Sequence, residues 1–333
     1  MVTLRPADMS DIDGMTALLL EDAEARAETD QALWGLAADA EIRVRANLEA
    51  TLTAEAPAFR QRWLVAESAG AVVGVTHTIH LPVPPIYAGA FGAPGLIMED
   101  SAISADAPDG TAEALIAAAE ADLTDAGAVI LLASSVPGGP FEAALGTHGY
   151  QPLTLYFSKS GLAASDAAPP VRPATEADLP GIVALSADSR RVLHALDPFW
   201  QPHDEAAARF GAWMGKSLIL PDRDMAVAGP AEDLDGYVIS QPVTPLHLPP
   251  AHDISRTGII DDFHHRDMSD PAHLAGAGAG ALFATAEAAL ARRGAEAALV
   301  VCPAAWTSKI AVLQDAGYAP AIAWHIKRAT LAA

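Results

Sequence analysis

The sequence predicts an α/β protein made of two similar units in tandem, each a mixed, mostly antiparallel sheet layered with helices. Three observations predict it. An opening phrase returns near the middle of the chain. In each half an apolar strand ends in acids before a glycine-bearing loop and a long helix. A Gly-Tyr pair then stands near the end of each half. The length of 333 residues suits two domains, set here at 1–160 and 170–333, with Lys159–Pro170 as linker.

The elements follow in order. Leu4-Arg5-Pro6-Ala7-Asp8 returns as Val171-Arg172-Pro173-Ala174-Thr175: a short strand, a proline, then a side chain able to cap a helix. Apolar residues three and four apart predict helices over Ile12–Leu20 and Leu179–Leu185. Two strands separated by a turn follow in each half, Trp63–Glu67 with Val72–Val75, and Met225–Ala228 with Gly236–Ile239. The strands ending in acids are Gly95–Asp100 and Gly258–Phe263. The long helices after them stop at Gly127 and Gly294, the residue type expected past a helix end. A buried strand, a short helix closed by Gly149-Tyr150 or Gly317-Tyr318, and a last strand complete each unit.

Composition bounds the function. At 51% hydrophobic and 19% charged residues the chain is a folded globular protein. Its net charge of −22 argues against nucleic acid and anionic membrane partners, and favours a neutral or cationic ligand. No run is long enough to span a bilayer, and the single Cys302 fits a reducing compartment, so a cytoplasmic monomer or homodimer is expected. His264 and His265 lie among Asp261, Asp262 and Asp267, but without a familiar ligand spacing, and no metal is expected.

The order Arg-Pro-Ala, strand, glycine loop, helix, Gly-Tyr resembles the GNAT superfamily of acyl-CoA-dependent N-acyltransferases, and does so twice. That resemblance implies acetyl-CoA as co-substrate, a small-molecule amine as acceptor, and direct transfer between them. It implies donor contacts from Phe263, His265, Gly276, Ala277, Gly278, Ala279, Gly280 and Ala281. The family's loop begins with Arg or Gln; Ala275 and Ala107 stand there instead. Gly276, Gly278 and Gly280 open a helix whose first N–H groups form an anion cradle. No acid occurs from Leu274 to Ala286, whereas Asp109 and Glu113 flank the first half's loop, so the second half is the expected donor site. A dinucleotide fold competes for the glycines, but its strand-to-glycine turn and following acid are missing.

Acyl transfer needs an acceptor for the amine proton, and Asp262 and His264 are the candidates. Alternation along a strand puts Asp262 and His264 on one face and Asp261, Phe263 and His265 on the other. The alternative is that one acid faces solvent and the other caps the loop. The family's thiolate-protonating Tyr is replaced by Leu313 and Leu145, leaving Thr307, Ser308 and Tyr318 as the nearest hydroxyls, or an unassisted departure. Cys302 is either a covalent carrier or a small buried hydrophobe. His194, Phe199 and Trp200 form either a substrate wall or core packing. Pro82–Tyr87 reads as a rigid loop at the cleft between the halves. The competing reading of the whole chain is a non-catalytic GNAT-like module that binds an acyl-CoA or a partner protein.

Overall fold

The structure is a computed structural model that describes residues 2–164, 171–273 and 276–328. The N-terminal half opens with β1 (Thr3–Pro6), α1 (Ile12–Thr29), α2 (Gln31–Trp34), α3 (Ala40–Thr53), β2 (Arg60–Ser68) and β3 (Ala71–His80). It continues with β4 (Gly95–Ile97), β5 (Ala102–Ile103), α4 (Thr111–Asp125), β6 (Ile130–Ser135), α5 (Pro140–Thr147) and β7 (Gln151–Ser160). The C-terminal half opens with β8 (Val171–Pro173), α6 (Leu179–Leu196), α7 (Ala206–Ser217), β9 (Asp224–Ala228) and β10 (Gly236–Pro242). It closes with β11 (Thr257–His265), α8 (Ala277–Arg292), β12 (Ala297–Pro303), α9 (Thr307–Asp315) and β13 (Ala319–Arg328).

The repeated Arg-Pro phrase has a structural reason. Arg5 donates to both carboxylate oxygens of Asp11 at 2.7 Å, and Asp11 in turn accepts from the backbone N–H of Asp8 at 2.9 Å. Arg172 grips Asp178 at 2.8 and 2.6 Å in the same way, and Asp178 accepts from the N–H of Thr175. Each fork-to-fork pair ties a strand to the first turn of a helix and satisfies a loose backbone donor.

The thirteen strands of the described residues form one sheet, in the order β1-β2-β3-β4-β6-β13-β7-β12-β11-β10-β9-β8, with β5 beside β3. The sheets of the two halves join into one, and the last strands are exchanged. β13 pairs with β6 of the other half, β7 pairs with β12, and the two meet antiparallel at the centre. A pseudo-twofold relation is visible in the side chains. Lys159 of β7 pairs with Glu287 of α8 over the Tyr318 ring, and Lys327 of β13 pairs with Glu120 of α4 over the Tyr150 ring. Lys159 and Ser160, read as linker, belong to β7, while residues 165–170 lie outside the described residues.

Helices cover both faces. In the C-terminal half Val238, Ile260 and Ala298 pack with Leu282, Phe283 and Trp306 of the α8–α9 side. Tyr237 and Ile239, one residue out of phase, pack with Leu185 and Phe210 of α6 and α7 on the opposite side. The helices α3 and α7 have no counterpart in the sequence reading. In α3 only Ala40, Val44 and Leu48 are buried, every fourth residue, which is too thin a stripe to stand out among its charges.

Candidate active site

β11 pairs with β12 only from Thr257 to Ile260; beyond that point it stays with β10 while β12 stays with β7. A wedge opens between them. At the same place the β10 register shifts between Ile239 and Ser240, so Asp261 is an extra residue opposite none. The alternation argument fails at this bulge. Asp261, expected on the far face, lines the same cavity as Asp262.

That cavity, of 240 Å³, lies on the α6–α7 side. Its charged groups are Asp261, Asp262, Arg190 and Lys309, with the hydroxyls of Thr154, Ser186 and Ser189 beside them, and its aromatic walls are Tyr87, Trp200, Phe210 and Trp213. Tyr237 donates its hydroxyl to Asp262 Oδ2 at 2.6 Å, fixing that carboxylate. Burial, with the charge of Asp262, pushes the Asp261 carboxyl up to about 6. Arg190 is buried; its Nη1 donates to Ser186 Oγ at 2.6 Å and its guanidinium lies 5.3 Å from the Phe210 ring centre. Tyr87 comes from the N-terminal half. The loop containing Pro82–Tyr87 is pinned across the α6–α7 connection, with Ala88 N–H donating to Gln201 O at 2.8 Å and Arg209 Nη1 to Pro85 O at 2.5 Å.

The predicted residues are placed as follows. Asp262 lines the cavity. His264 shares its face but is fully buried, its ring centre 6.0 Å from that of Trp306. Among the described residues neither of its ring nitrogens has a partner, and burial takes its imidazole down to about 3, which makes it a poor proton acceptor. Trp200 lines the cavity, 5.3 Å from Tyr87. Phe199 packs instead near Ile130, Leu153 and Ile326, and His194 is exposed. Cys302 is fully buried with its thiol pushed up to about 12, so it carries no thiolate near neutral pH. Arg190, Tyr237 and Lys309 carry no signal in the sequence that marks them as site residues, whereas Asp261 lies in the acidic cluster and Tyr87 in the loop read as lining the cleft. Only a tertiary fold brings them together.

The glycine-bearing helix start lies on the other side of the sheet. Gly276, Ala277 and Gly280 line a 590 Å³ groove between α8 and α9, with Phe283, Glu287 and Lys159. Gly276 is the N-cap residue of α8, and no side chain among the described residues caps its first N–H groups. A Cβ at Gly280 would meet nothing within 4 Å. Gly276 and Gly278 differ: a Cβ there would stand 2.6 Å from Asp267 Oδ2 and 2.5 Å from the His265 ring. The stretch from 274 to 286 is free of acids, yet Asp267 folds back beside it. Ala279 is buried, Ala281 half-buried, and Ala275 lies outside the described residues. Phe263 is buried against Phe283.

The N-terminal half has a counterpart cavity of 550 Å³ at the divergence of β4 and β6. There Glu99 stands in the place of Asp262, buried, with its carboxyl pushed up by burial and accepting from Ser134 Oγ at 3.0 Å. Among the described residues no group of three or more His, Cys, Asp or Glu is arranged to hold a metal, and no helix is long and apolar enough to cross a membrane.

Among solved structures the chain is similar to a GCN5-related N-acetyltransferase from Sphaerobacter thermophilus. The TM-score is 0.57 at 14% identity, with 98% of this chain and 95% of that one covered. It is also similar to a tandem GNAT protein from the clavulanic acid biosynthesis pathway, with a TM-score of 0.46, 16% identity and complete coverage of both chains. No protein-family model matches the chain, and no curated protein does. The chain has a duplicated GNAT fold.

Proposed function

We propose that this chain is an N-acyltransferase that moves an acetyl group from acetyl-CoA to the amine of a small neutral or cationic molecule. The observation that carries the reading is a pair of openings on opposite faces of the C-terminal half, separated by the β11–β12 wedge. In this reading the unit 170–333 holds the donor, and the unit 1–160 supplies part of the acceptor wall through Tyr87.

The groove suits the phosphate end of the donor. Uncapped N–H groups and the open approach at Gly280 offer an anion site without side-chain obstruction. Asp267 is the feature that opposes it. When bound, an acyl-CoA supplies an activated thioester; the remaining work belongs to the protein. Asp262 accepts the proton that the amine loses as its nitrogen bonds the carbonyl carbon. Tyr237 holds Asp262 in position from the buried side. Asp261 and Asp262 favour a cation, and the aromatic walls add cation–π attraction for it.

Two contacts favour the rival reading, a binding module without transfer: Lys309 Nζ donates to the Phe263 carbonyl at 2.6 Å, and Trp306 Nε1 donates to Met268 O at 3.1 Å, so the wedge is filled by the protein itself. Calorimetric titration with acetyl-CoA, followed by an amine screen read as thiol release, separates them. Binding with amine-dependent release supports transfer; binding without release for any amine supports the module. A protein that binds no acyl-CoA sinks the proposal.

A further inference from the structure

The helix α9 divides the donor groove from the acceptor cavity. Val312, Asp315 and Ala316 line the groove, while Lys309 lines the cavity. Lys309 and Leu313 are four residues apart and share a face, with Lys309 one turn nearer the helix start. Leu313 stands where a thiolate-protonating Tyr is expected and is fully buried. The three hydroxyls nearest in sequence do not replace it. Thr307 is exposed, Ser308 Oγ accepts from Trp306 Nε1 at 3.0 Å, and Tyr318 donates to Glu287 on the α8 side. None of the three lines the cavity.

Lys309 is 5% exposed, and its Nζ lies inside the wedge. It donates to the carbonyl of Phe263, just past the point where β11 leaves β12, and lies 4.5 Å from the Phe263 ring centre and 4.4 Å from that of Trp306. Burial lowers its ammonium from the ordinary range, while the charge of Asp262 supports it. A buried ammonium whose proton is loosened by burial, held by a carbonyl where the two strands part, is placed to protonate a leaving thiolate. Neighbouring Cys302 stays protonated and does not compete.

We propose that Lys309 is the proton donor to the leaving thiolate of the transfer reaction, a role that rests on the acyl-transfer reading above. The balance is complete. The N–C bond forms and the C–S bond breaks, the amine proton passes to Asp262, and the Nζ proton passes to sulfur. Asp262 then gives up its proton through the open cavity, and Lys309 regains one, so both start the next turnover unchanged.

The test compares CoA with desulfo-CoA by calorimetry on wild type, Lys309→Met and Lys309→Arg. An ammonium facing the thiol makes wild type bind CoA about tenfold more tightly than desulfo-CoA, with a proton released on binding. Lys309→Met, which keeps the packing between the two rings, loses that gap; Lys309→Arg keeps it but cannot supply the proton, so its turnover falls. Equal binding of the two ligands by wild type overturns the role of Lys309 without touching the acyl-transfer reading, and needs no variant to fold. An undiminished gap in Lys309→Met, or Lys309 itself found acylated by mass spectrometry, overturns it too. Failure of wild type to bind either ligand defeats both proposals.

Discussion

Around Glu99 and around Asp262 the two halves place an acid at the same point of the same fold and then surround it differently. The N-terminal cavity is the larger, 550 against 240 Å³, and the turn that closes it, Val136-Pro137-Gly138-Gly139-Pro140, contributes little side-chain bulk. In the C-terminal half the corresponding turn carries Trp306, and Lys309 follows in the first turn of α9 where α5 has Phe141; Trp306 and Lys309 are both buried. Glu99 is neighboured by an Asp22–Arg26 ion pair at 2.6 Å, and Arg26 also donates to the Glu99 backbone carbonyl. Asp262 is met by a tyrosine hydroxyl and a second acid. The Arg-Asp forks and Lys-Glu-Tyr clusters, by contrast, are the same in both halves. Duplication kept what closes the sheet and let the cavities part.

The largest expected effect tests whether chemistry belongs to one half. Asp262→Asn lowers kcat/KM by about 100- to 10,000-fold, the span of a lost general base, while Glu99→Gln changes it less than threefold. Steady-state rates with the best amine decide; the reverse ranking moves the reaction to the N-terminal cavity. Next comes the donor groove. Gly280→Glu adds a carboxylate at the first turn of α8 without a clash, and weakens acetyl-CoA binding about 30-fold, roughly 2 kcal/mol. Ala114→Glu in the first turn of α4 leaves binding unchanged if the groove is used in one half only.

A third difference is electrostatic. Asp261 has its folded-state pKa raised to about 6 from 3.8, whereas Met98 occupies the matching position of the other half. Below pH 3.8 the carboxyl is protonated folded or unfolded and costs nothing. As pH rises from about 4 to about 6 the unfolded chain releases the proton first, so stability falls, and the full penalty remains above pH 6. Asp261→Asn therefore raises stability by about 1–3 kcal/mol at pH 8 and not at pH 4, read by thermal melts at both. The smallest effect concerns the acid folded against the glycines. Asp267→Asn tightens acetyl-CoA by about two- to fivefold, the worth of one charge at a helix start; weaker binding instead would make Asp267 a ligand contact.

Much of this was readable from residues a turn or two apart. The Arg-Pro-Ala phrase, the helix starts at Ile12 and Leu179, and the glycine stops at Gly127 and Gly294 depend on capping and backbone freedom. Alternation placed Asp262 with His264 and Phe263 with His265, in agreement with their partners Ile239, Tyr237, Val238 and Gly236. It failed at Asp261, because a bulge follows from the geometry of two strands together. It also put His264 on the cavity's face without showing that Trp306 covers it.

By itself the sequence determined the duplication, the order of elements and the acid at the end of each fourth strand, since caps, periodicity and turns act within a few residues. Tertiary structure alone decided which last strand pairs with which half, because β7 and β13 are alternative partners for β6 and β12 and only long-range geometry chooses between them. The same geometry brought Asp267 to the glycines, Tyr87 across from the other half, and Lys309 into the wedge. Those meetings join residues that are remote along the chain or made neighbours only by a crossing of strands, and no local pattern encodes them.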